Sequence, residues 1–407
     1  MINIVEGGIT AAKGFRAAAV NAGISAEERP DLCLIASTVP CVFAGTFTAN
    51  QIKGAPVRWD QERAADECAA QAIVVNSGIA NVCMGDDSMR WCGEIAEAVS
   101  SGLLISPESV LLASTGIIGR PLPIERILEQ ADPLIRRLDD SPEAAALCAE
   151  AILTTDSVRK ERAVKFTLSD GTVATLGGCA KGSGMVHPDM STMLAFLTTD
   201  VSISRELLSE ALMDDVRETY NMISTDGDTS PNDTVLILAN GLCGNAEIRD
   251  RGADYQRFCE VLHELNAYFA KKIAQDGEGA KALLCCRVLH APDKEGARRL
   301  ARAVISSPSV KKAVGGHSPD WGRILSALGN AGVPVDMNVV DLFCESRAGH
   351  VTLLKGGRAF GASEAQIRKI FSESEITILV DLGSGAADAT AWGCDLTREW
   401  AETVGID

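Results

Sequence analysis

Hydrophobic residues along the first two thirds of the chain alternate between short continuous runs and stretches with helical spacing. The runs AIVVN at 72–76 and TVLILA at 234–239 have the length and composition of buried strands. Between such runs, apolar residues recur every three or four positions, as in amphipathic helices. The predicted strands are 72–76, 109–113, 164–169, 172–178, 193–201 and 234–239, of which 164–169 and 172–178 form a hairpin joined at Asp170-Gly171. The predicted helices are 86–102, 122–138, 142–153 and 205–223. Alternating strands and helices predict a mixed α/β fold with two layers of sheet.

A long amphipathic pattern over 253–275 stops at the sequence DGEGA (276–280), in which glycines flank Glu278. The elements that follow are shorter. The predicted strands there are 283–290, 335–344, 350–354 and 376–382, and the predicted helices are 294–305, 320–330 and 363–371. We therefore expect a boundary within 276–281, with a main α/β domain over 1–278 and a smaller α+β domain over 279–407.

Charge and cysteine usage narrow the range of partners and the compartment. The 38 basic and 55 acidic residues give a net charge of −17, which disfavours nucleic acid as a partner. No apolar run approaches the ~18 residues of a membrane span, and the N-terminus has no basic start followed by an apolar core. The 13 cysteines are scattered, without a C-x-x-C pair. We expect a cytoplasmic protein with reduced thiols and no membrane partner.

The common catalytic signatures are absent from the sequence. It contains no G-x-S-x-G, no H-E-x-x-H, no P-loop and no G-x-G-x-x-G that opens a helix after the first strand. The five histidines have no metal-ligand spacing, so we expect no metal site. These absences disfavour a doubly wound nucleotide-binding fold and the familiar hydrolase and metalloenzyme classes.

Small polar loops rich in glycine stand at the predicted strand ends. Each is compatible with a plain turn, but glycine also lets backbone amides face a ligand, and Ser, Thr, Asn and Asp supply short donors and acceptors. The loops are VNSGIANVC (75–83), ASTGIIG (113–119), AKGSGMVHPDMSTML (180–194), STDGDTSPNDT (224–234) and DGEGA (276–280). Several such loops on a rigid scaffold indicate a binding or catalytic site.

Thr192 stands at the mouth of a predicted buried strand, behind the glycine loop that begins at Lys181. If the peptide bond between Ser191 and Thr192 were cut, Thr192 would carry a free α-amine beside its hydroxyl. An α-amine with a reference pKa of about 8 can serve as an internal base near neutral pH. The alternative is a plain β-branched residue that starts a strand, and spacing alone favours this alternative.

At these loops the sequence resembles the ornithine acetyltransferase family, the arginine-biosynthesis enzymes also called glutamate N-acetyltransferases. The segment AKGSGM…PDMSTMLAFLTTD is similar to the family's self-cleavage segment, and ASTGIIG is similar to its oxyanion-hole loop. Further similar segments follow the family's order along nearly the whole chain: VNSGIANVC, LTTD, DGDTSPNDTVLILANG, DGEGA, DWGRI and AWGCDLT.

The resemblance implies a self-cleaving enzyme with an N-terminal threonine nucleophile in an αββα-like arrangement of sheets and helices. Thr192 would attack the carbonyl of Ser191, and hydrolysis of the ester would leave fragments 1–191 and 192–407. Thr192 would then take acetyl from N-acetylornithine and pass it to glutamate. The family's oxyanion hole corresponds to Thr115 and Gly116.

The resemblance also implies the substrate contacts and partners. Thr155, Lys181, Thr192 and Glu278 would bind substrate, with Lys181 at the α-carboxylate and Glu278 at the side-chain ammonium of ornithine. Spacing to Lys181 favours Thr155 over Thr154 for this role. No cofactor is implied, although acetyl-CoA could be a co-substrate. The implied partners are small amino acids and the enzyme's own two fragments, in a homo-oligomer of fragment pairs.

Some positions depart from the family's pattern. Val404 stands where an Asn is usual, and the chain stops at Asp407, before the usual terminal Thr or Ser. Ser191 replaces an Ala before the nucleophile, and Ile79 replaces a polar residue. A different amino-acid substrate is therefore an alternative, as are an N-terminal-nucleophile amidase or aminopeptidase and a binding relative that is never cleaved.

Overall fold

The computed structural model describes residues 2–187 and 193–403. Its strands are β1 (Asn3–Val5), β2 (Phe15–Val20), β3 (Leu32–Phe47), β4 (Ala70–Asn76), β5 (Val110–Ser114), β6 (Lys160–Thr167), β7 (Val173–Lys181), β8 (Leu194–Thr199), β9 (Ile223–Ser224), β10 (Thr234–Ala239), β11 (Leu283–Ala291), β12 (Asp341–Ser346), β13 (Gly349–Lys355), β14 (Arg358–Ala359), β15 (Glu375–Asp381) and β16 (Ala387–Cys394).

The α-helices are α1 (Ala55–Ala65), α2 (Asp87–Leu103), α3 (Ile124–Arg136), α4 (Pro142–Ala151), α5 (Arg205–Glu218), α6 (Ala253–Gln275), α7 (Lys294–Ser306), α8 (Pro308–Gly315), α9 (Gly322–Asn330), α10 (Glu364–Phe371) and α11 (Arg398–Thr403). Short 3-10 helices lie at Gly8–Thr10, Pro107–Ser109 and Tyr220–Met222. The described residues form two compact units: the first comprises 2–182, 193–216 and 229–269, and the second comprises 183–187, 217–228 and 270–403.

The first unit is built on a mixed sheet with the strand order β1-β6-β7-β8-β10-β3-β4-β5, in which β2 also pairs with β3. The 16-residue strand β3 joins the two halves of this sheet. Its first residues pair with β2 and β4, whereas residues 42–47 pair with β10. Strand β10 is parallel to β8 on its other side. Because β8 and β10 are buried along their whole length, both read as continuous apolar runs.

Successive side chains of a strand point to opposite faces of this sheet, and each face packs in its own hydrophobic core. Leu32 and Leu34 of β3 pack with Trp91 and Ile95 of α2 on one face, together with residues of α3. Ile35, the next residue of the strand, packs on the opposite face in a core that includes part of α4. The period of two along the strand therefore explains why helices cover both faces.

The second unit contains a mixed sheet with the order β14-β13-β12-β15-β11-β16-β9. Strand β11 pairs in parallel with β15 and antiparallel with β16. Helix α7 packs on this sheet, since Leu300, Val304 and Ile305 share a core with Leu284 and Ile378. Amphipathic periodicity in α7 and alternation in the strands thus bury one common apolar layer.

The mixed α/β class predicted from the sequence is confirmed, and most predicted elements lie within a few residues of those observed. The division into domains 1–278 and 279–407 stays a prediction. The strand predicted over 335–344 is wrong before residue 341. There the Asp336 carboxylate accepts the Asn338 amide at 3.0 Å, and Val339 donates to the Asp336 carbonyl at 3.2 Å, so a local turn replaces the strand.

Strand β3 was not predicted, because polar Ser37 and Thr38 and the following Pro40 interrupt its apolar pattern. The interruption falls where the register with β4 shifts, between Ala36 and Cys41. A proline is tolerated at such an irregularity because no ladder hydrogen bond is required there. Across the described residues, no helix is both long enough and apolar enough to cross a bilayer.

Candidate functional site in the first unit

The loops that follow β4 and β5 run side by side, because these strands are parallel neighbours with Asn76 opposite Ser114. The Ser114 hydroxyl donates to the Asn76 side-chain oxygen at 2.6 Å. Backbone bonds continue the pairing past the strand ends: Thr115 donates to the Asn76 carbonyl at 3.0 Å, and Ile117 donates to Gly78 at 3.1 Å. The loops VNSGIAN and ASTGIIG therefore form one hydrogen-bonded pair.

Gly116 is required by the close approach of these loops. Its φ of 131° lies in a region that favours glycine. A Cβ at this position would also overlap the backbone of Gly78. Both constraints keep the chain at residue 116 free of a side chain and leave its amide accessible.

Thr115 and Gly116 present two hydrogen-bond donors at this turn. Thr115 is 3% exposed, and its amide is occupied by the Asn76 carbonyl. Within residues 2–187 and 193–403, neither the Thr115 hydroxyl nor the Gly116 amide has a hydrogen-bond partner. A hydroxyl and an amide fixed without partners on a rigid turn can stabilise an oxygen that gains negative charge.

Lys181, at the end of β7, is 1% exposed. Its ammonium donates to the Thr154 hydroxyl at 2.6 Å and lies 3.6 Å from the Asp156 carboxylate. Asp156 also binds the ammonium of Lys160 at 2.7 Å and the amide of Gly182 at 2.7 Å. One buried carboxylate therefore holds two buried lysines and the start of the glycine loop that leads to residue 192.

Burial and neighbouring charges act in opposite directions on the pKa values of this cluster. Burial lowers the pKa of Lys181, and the charge of Asp156 opposes that effect. Burial by itself would raise the pKa of Asp156, but the charges of Lys181 and Lys160 hold it well below its usual range. The charge of the buried Asp233 also acts to raise the pKa of Lys181, so more than one carboxyl group supports this ammonium.

Thr154 and Thr155, the two threonines considered for a role beside Lys181, lie in different environments. Thr154 contacts Lys181, whereas Thr155 is exposed. The half-buried Arg29 fixes this segment, since its guanidinium donates to the carbonyls of Leu153 at 2.6 Å and Thr154 at 3.2 Å. Sequence reasoning missed the roles of Arg29, Asp156 and Asn76; the position of Asp156 in LTTD was the available signal.

Glu278 belongs to the second unit. Its carboxylate lies directly against Gly184, where any Cβ would overlap it. Nearby, the Ser183 hydroxyl donates to the Asp276 carbonyl at 2.6 Å. Within the second unit, the start of the glycine loop and the DGEGA turn are therefore in contact.

The proposed cleavage residues Ser191 and Thr192 lie outside the described residues, and so does Val404. Met193, the residue after Thr192, donates its amide to the buried Asp233 carboxylate at 2.9 Å. Over the described ranges, no three His, Cys, Asp or Glu side chains are grouped as a metal site.

Comparison with known proteins gives a family model and relatives that match nearly the whole chain. The ArgJ family model matches residues 16–405. "Arginine biosynthesis bifunctional protein ArgJ" of Thermotoga neapolitana is 43% identical over 394 residues, with 97% of this chain and 98% of the relative covered. The protein of the same name from Symbiobacterium thermophilum is 43% identical over 403 residues, with 98% of each covered.

Among solved structures, a crystal structure of arginine biosynthesis bifunctional protein ArgJ from Bacillus halodurans is 35% identical with a TM-score of 0.43. The match covers 47% of this chain and 100% of the Bacillus halodurans chain. Ornithine acetyltransferase from Mycobacterium tuberculosis, in complex with ornithine, is 33% identical with a TM-score of 0.42. This match covers 46% of this chain and 98% of the Mycobacterium tuberculosis chain.

Replacing Asp156 by Asn tests the lysine cluster. We expect Asp156→Asn to lower the free energy of unfolding by about 3–5 kcal/mol at neutral pH, because two buried lysines lose their shared carboxylate. The pKa of Asp156 is lowered in the fold, so its stabilisation is present above the ordinary value of 3.8 and is lost as the pH falls below it. The difference between the variant and the wild type should therefore shrink in acid.

The measurement is urea denaturation followed by circular dichroism between pH 7 and pH 3. Asp87→Asn is the matched control, because Asp87 pairs with Arg90 on the surface. That change should cost no more than about 1 kcal/mol. Equal losses in the two variants would show that the cluster around Asp156 does not stabilise the fold.

Proposed function

The chain belongs to the ArgJ family of arginine-biosynthesis enzymes, and from that premise we propose that it transfers acetyl from N-acetylornithine to glutamate through an acetyl ester on Thr192. The observation that carries this proposal is the pair of donors at Thr115 and Gly116, on the loop after β5, which have no hydrogen-bond partner among the described residues. Acyl transfer passes through a tetrahedral oxyanion, and donors fixed in advance lower its free energy.

Maturation precedes turnover in this proposal. The Thr192 hydroxyl attacks the carbonyl carbon of Ser191, the peptide C–N bond breaks, and the hydroxyl proton moves to the released α-amine. Water then hydrolyses the ester between Ser191 and Thr192. The products are a fragment that ends at Ser191 and a fragment with Thr192 at its N-terminus, and the two stay associated.

In turnover, the α-amine of Thr192 takes the proton from its own hydroxyl as the oxygen attacks the acetyl carbon of N-acetylornithine. The oxyanion would be stabilised by the Thr115 hydroxyl and the Gly116 amide. The amide C–N bond then breaks, and the nitrogen of ornithine leaves with the proton. The α-amine of glutamate attacks the acetyl ester by the reverse sequence, which frees Thr192.

The charged side chains suit amino-acid substrates in this proposal. Lys181, whose ammonium lies 3.6 Å from the Asp156 carboxylate, would pair with the α-carboxylate of the substrate. Glu278 would pair with the side-chain ammonium of ornithine, and the exposed Thr155 would supply a further polar contact. Since both substrates are zwitterionic or anionic amino acids, complementary charges of this kind would select them.

We further propose that the reaction needs no cofactor, with acetyl-CoA as an optional co-substrate. We propose that the protein is cytoplasmic and forms a homo-oligomer of fragment pairs. We also propose that it has no nucleic-acid or membrane partner. The free thiols of all 13 cysteines support a reducing compartment. The net charge of −17 supports the absence of a nucleic-acid partner.

A matrix of donors and acceptors tests the proposed reaction. Cleaved protein is incubated with N-acetylornithine or acetyl-CoA as donor, against glutamate, ornithine or water as acceptor, and products are separated by chromatography. We expect N-acetylglutamate from N-acetylornithine and glutamate. Release of free acetate in every mixture would identify an amidase, and no turnover of N-acetylornithine would point to another substrate.

Self-cleavage is tested by intact mass. We expect purified wild-type protein to contain fragments 1–191 and 192–407, because the Thr192 hydroxyl is the proposed nucleophile. Thr192→Ala should remain a single chain. The control is Thr199→Ala, at the other end of β8, where the hydroxyl donates to the Thr175 carbonyl at 2.8 Å. Normal cleavage of Thr192→Ala would identify an external protease and refute the mechanism.

Thr115→Ala tests the oxyanion donor. It removes the hydroxyl and leaves the Gly116 amide, so kcat and kcat/KM should both fall about 10²-fold or more. Thr10→Ala is the control, because the buried Thr10 hydroxyl makes only backbone contacts, to Gly7 and Ser141. Thr10→Ala should lower thermal stability while kcat is retained. An unchanged kcat in Thr115→Ala would exclude this hydroxyl from the reaction.

A further inference from the structure

The segment Ser230–Thr234 (SPNDT) has no part in the mechanism above, yet its polar side chains are buried. Asn232 is 5% exposed and Asp233 is 0% exposed, immediately before β10. Buried polar groups are retained only where hydrogen bonds compensate for their lost hydration. The contacts of these two side chains therefore indicate what they hold.

The amide nitrogen of Asn232 links the two glycine loops from a third part of the chain. It donates to the Ala80 carbonyl at 2.7 Å and to the Ser114 carbonyl at 2.8 Å. Ser114 directly precedes Thr115, and the amide of Ala80 binds the carbonyl of Ile117 at 3.0 Å. A single NH2 group thus joins the loop 75–83 to the loop 113–119, which carries the Thr115 and Gly116 donors.

The orientation of the Asn232 amide is determined by its surroundings. Two carbonyl oxygens face the nitrogen, so the reversed amide would set oxygen against oxygen. On the other side, the Asn232 side-chain oxygen lies where a Cβ of Gly54 would be, and the Gly54 amide donates to Pro231 at 2.9 Å. The side chain is therefore confined to one position.

Asp233 binds a backbone amide next to the proposed nucleophile. Its carboxylate accepts the amide of Met193 at 2.9 Å, and Met193 directly follows Thr192 in the sequence. The next residue, Thr234, donates its amide to the Met193 carbonyl at 3.2 Å. Within the described residues, the second carboxylate oxygen of Asp233 has no hydrogen-bond partner.

From these contacts we infer that Asn232 and Asp233 are a pair of positioning residues that set the loop 113–119 and the residue after Thr192 in fixed relation to each other. Consecutive side chains of an extended segment point to opposite sides, so one dipeptide can reach both. An oxyanion donor acts only within a narrow range of distances from the reacting atom, so the shared support matters for rate. This inference rests on the proposed function.

Asn232→Asp tests the first residue, because it replaces the donor nitrogen by oxygen and keeps the shape. We expect kcat to fall about 10²-fold with KM within twofold, since the donors act in the transition state. Hydrogen exchange read by mass spectrometry should accelerate in peptides that cover 113–119. Asn240→Asp, at the far end of β10, is the matched control, where the side chain donates to the Lys13 carbonyl at 2.8 Å.

Ser114→Ala is a milder variant in case Asn232→Asp does not fold. It removes only the hydroxyl that bonds the Asn76 side chain across the same loops. Exchange in 113–119 should again accelerate, and kcat should fall about 3- to 10-fold. Unchanged exchange in both variants would overturn the role of Asn232. Faster exchange with an unchanged kcat would overturn its link to catalysis.

Asp233 is tested by self-cleavage, measured as the rate at which the intact mass disappears. Asp233→Ala removes the acceptor for Met193, and cleavage should slow at least about tenfold. Asp233→Asn keeps an acceptor oxygen, and its rate should stay within about threefold of wild type. Equal rates in all three proteins, or a loss in Asn as large as in Ala, would overturn the positioning role.

Failure of the proposed function has a different signature. If the donor and acceptor matrix gives no acetyl transfer in the wild type, the substrate assignment falls. Hydrogen exchange in 113–119 and the cleavage rates would still respond to the variants as described. The positioning role and the acetyl-transfer reaction can therefore fail separately.

Discussion

The parallel pairing of β4 with β5 is the interaction on which the candidate site depends. It sets Asn76 opposite Ser114, and the two loops that follow continue the hydrogen bonding beyond the strands. The close approach excludes a side chain at residue 116 and uses the Thr115 amide, which leaves one hydroxyl and one amide without a partner among residues 2–187 and 193–403. The donors at this turn are therefore a consequence of strand register, with glycine as the condition that permits it.

A second constraint comes from charge burial beside Thr154. Lys160 and Lys181 are almost fully buried, and both lie near the carboxylate of Asp156. Such a cluster is expensive to desolvate and stabilises a protein only when its hydrogen bonds are complete. Here the carboxylate is shared between the lysines and the Gly182 amide, which fixes the chain that leads toward Thr192.

Strand β10 connects these features. It lies between β3 and β8, so the residues at its start reach the strand that begins just after Thr192 and the loops after β4 and β5. Polar side chains at the entrance of an otherwise apolar strand are stable there because backbone groups of neighbouring segments satisfy them. The same burial that makes β10 a continuous apolar run makes Asn232 and Asp233 dependent on specific partners.

The sequence by itself determined the apolar strands and amphipathic helices, the glycine loops at strand ends and the family, because these are carried by local periodicity and by residue types at fixed spacing. The tertiary structure decided the rest. Whether Thr154 or Thr155 meets Lys181, which carboxylate the buried Lys181 meets, and what Asn232 and Asp233 hold depend on partners 25 to 152 residues away. Strand β3 escaped prediction for the same reason, since it changes neighbours midway and its apolar pattern breaks there. Hydrogen-bond partners across a sheet are set by register between distant segments, and no local pattern contains that register.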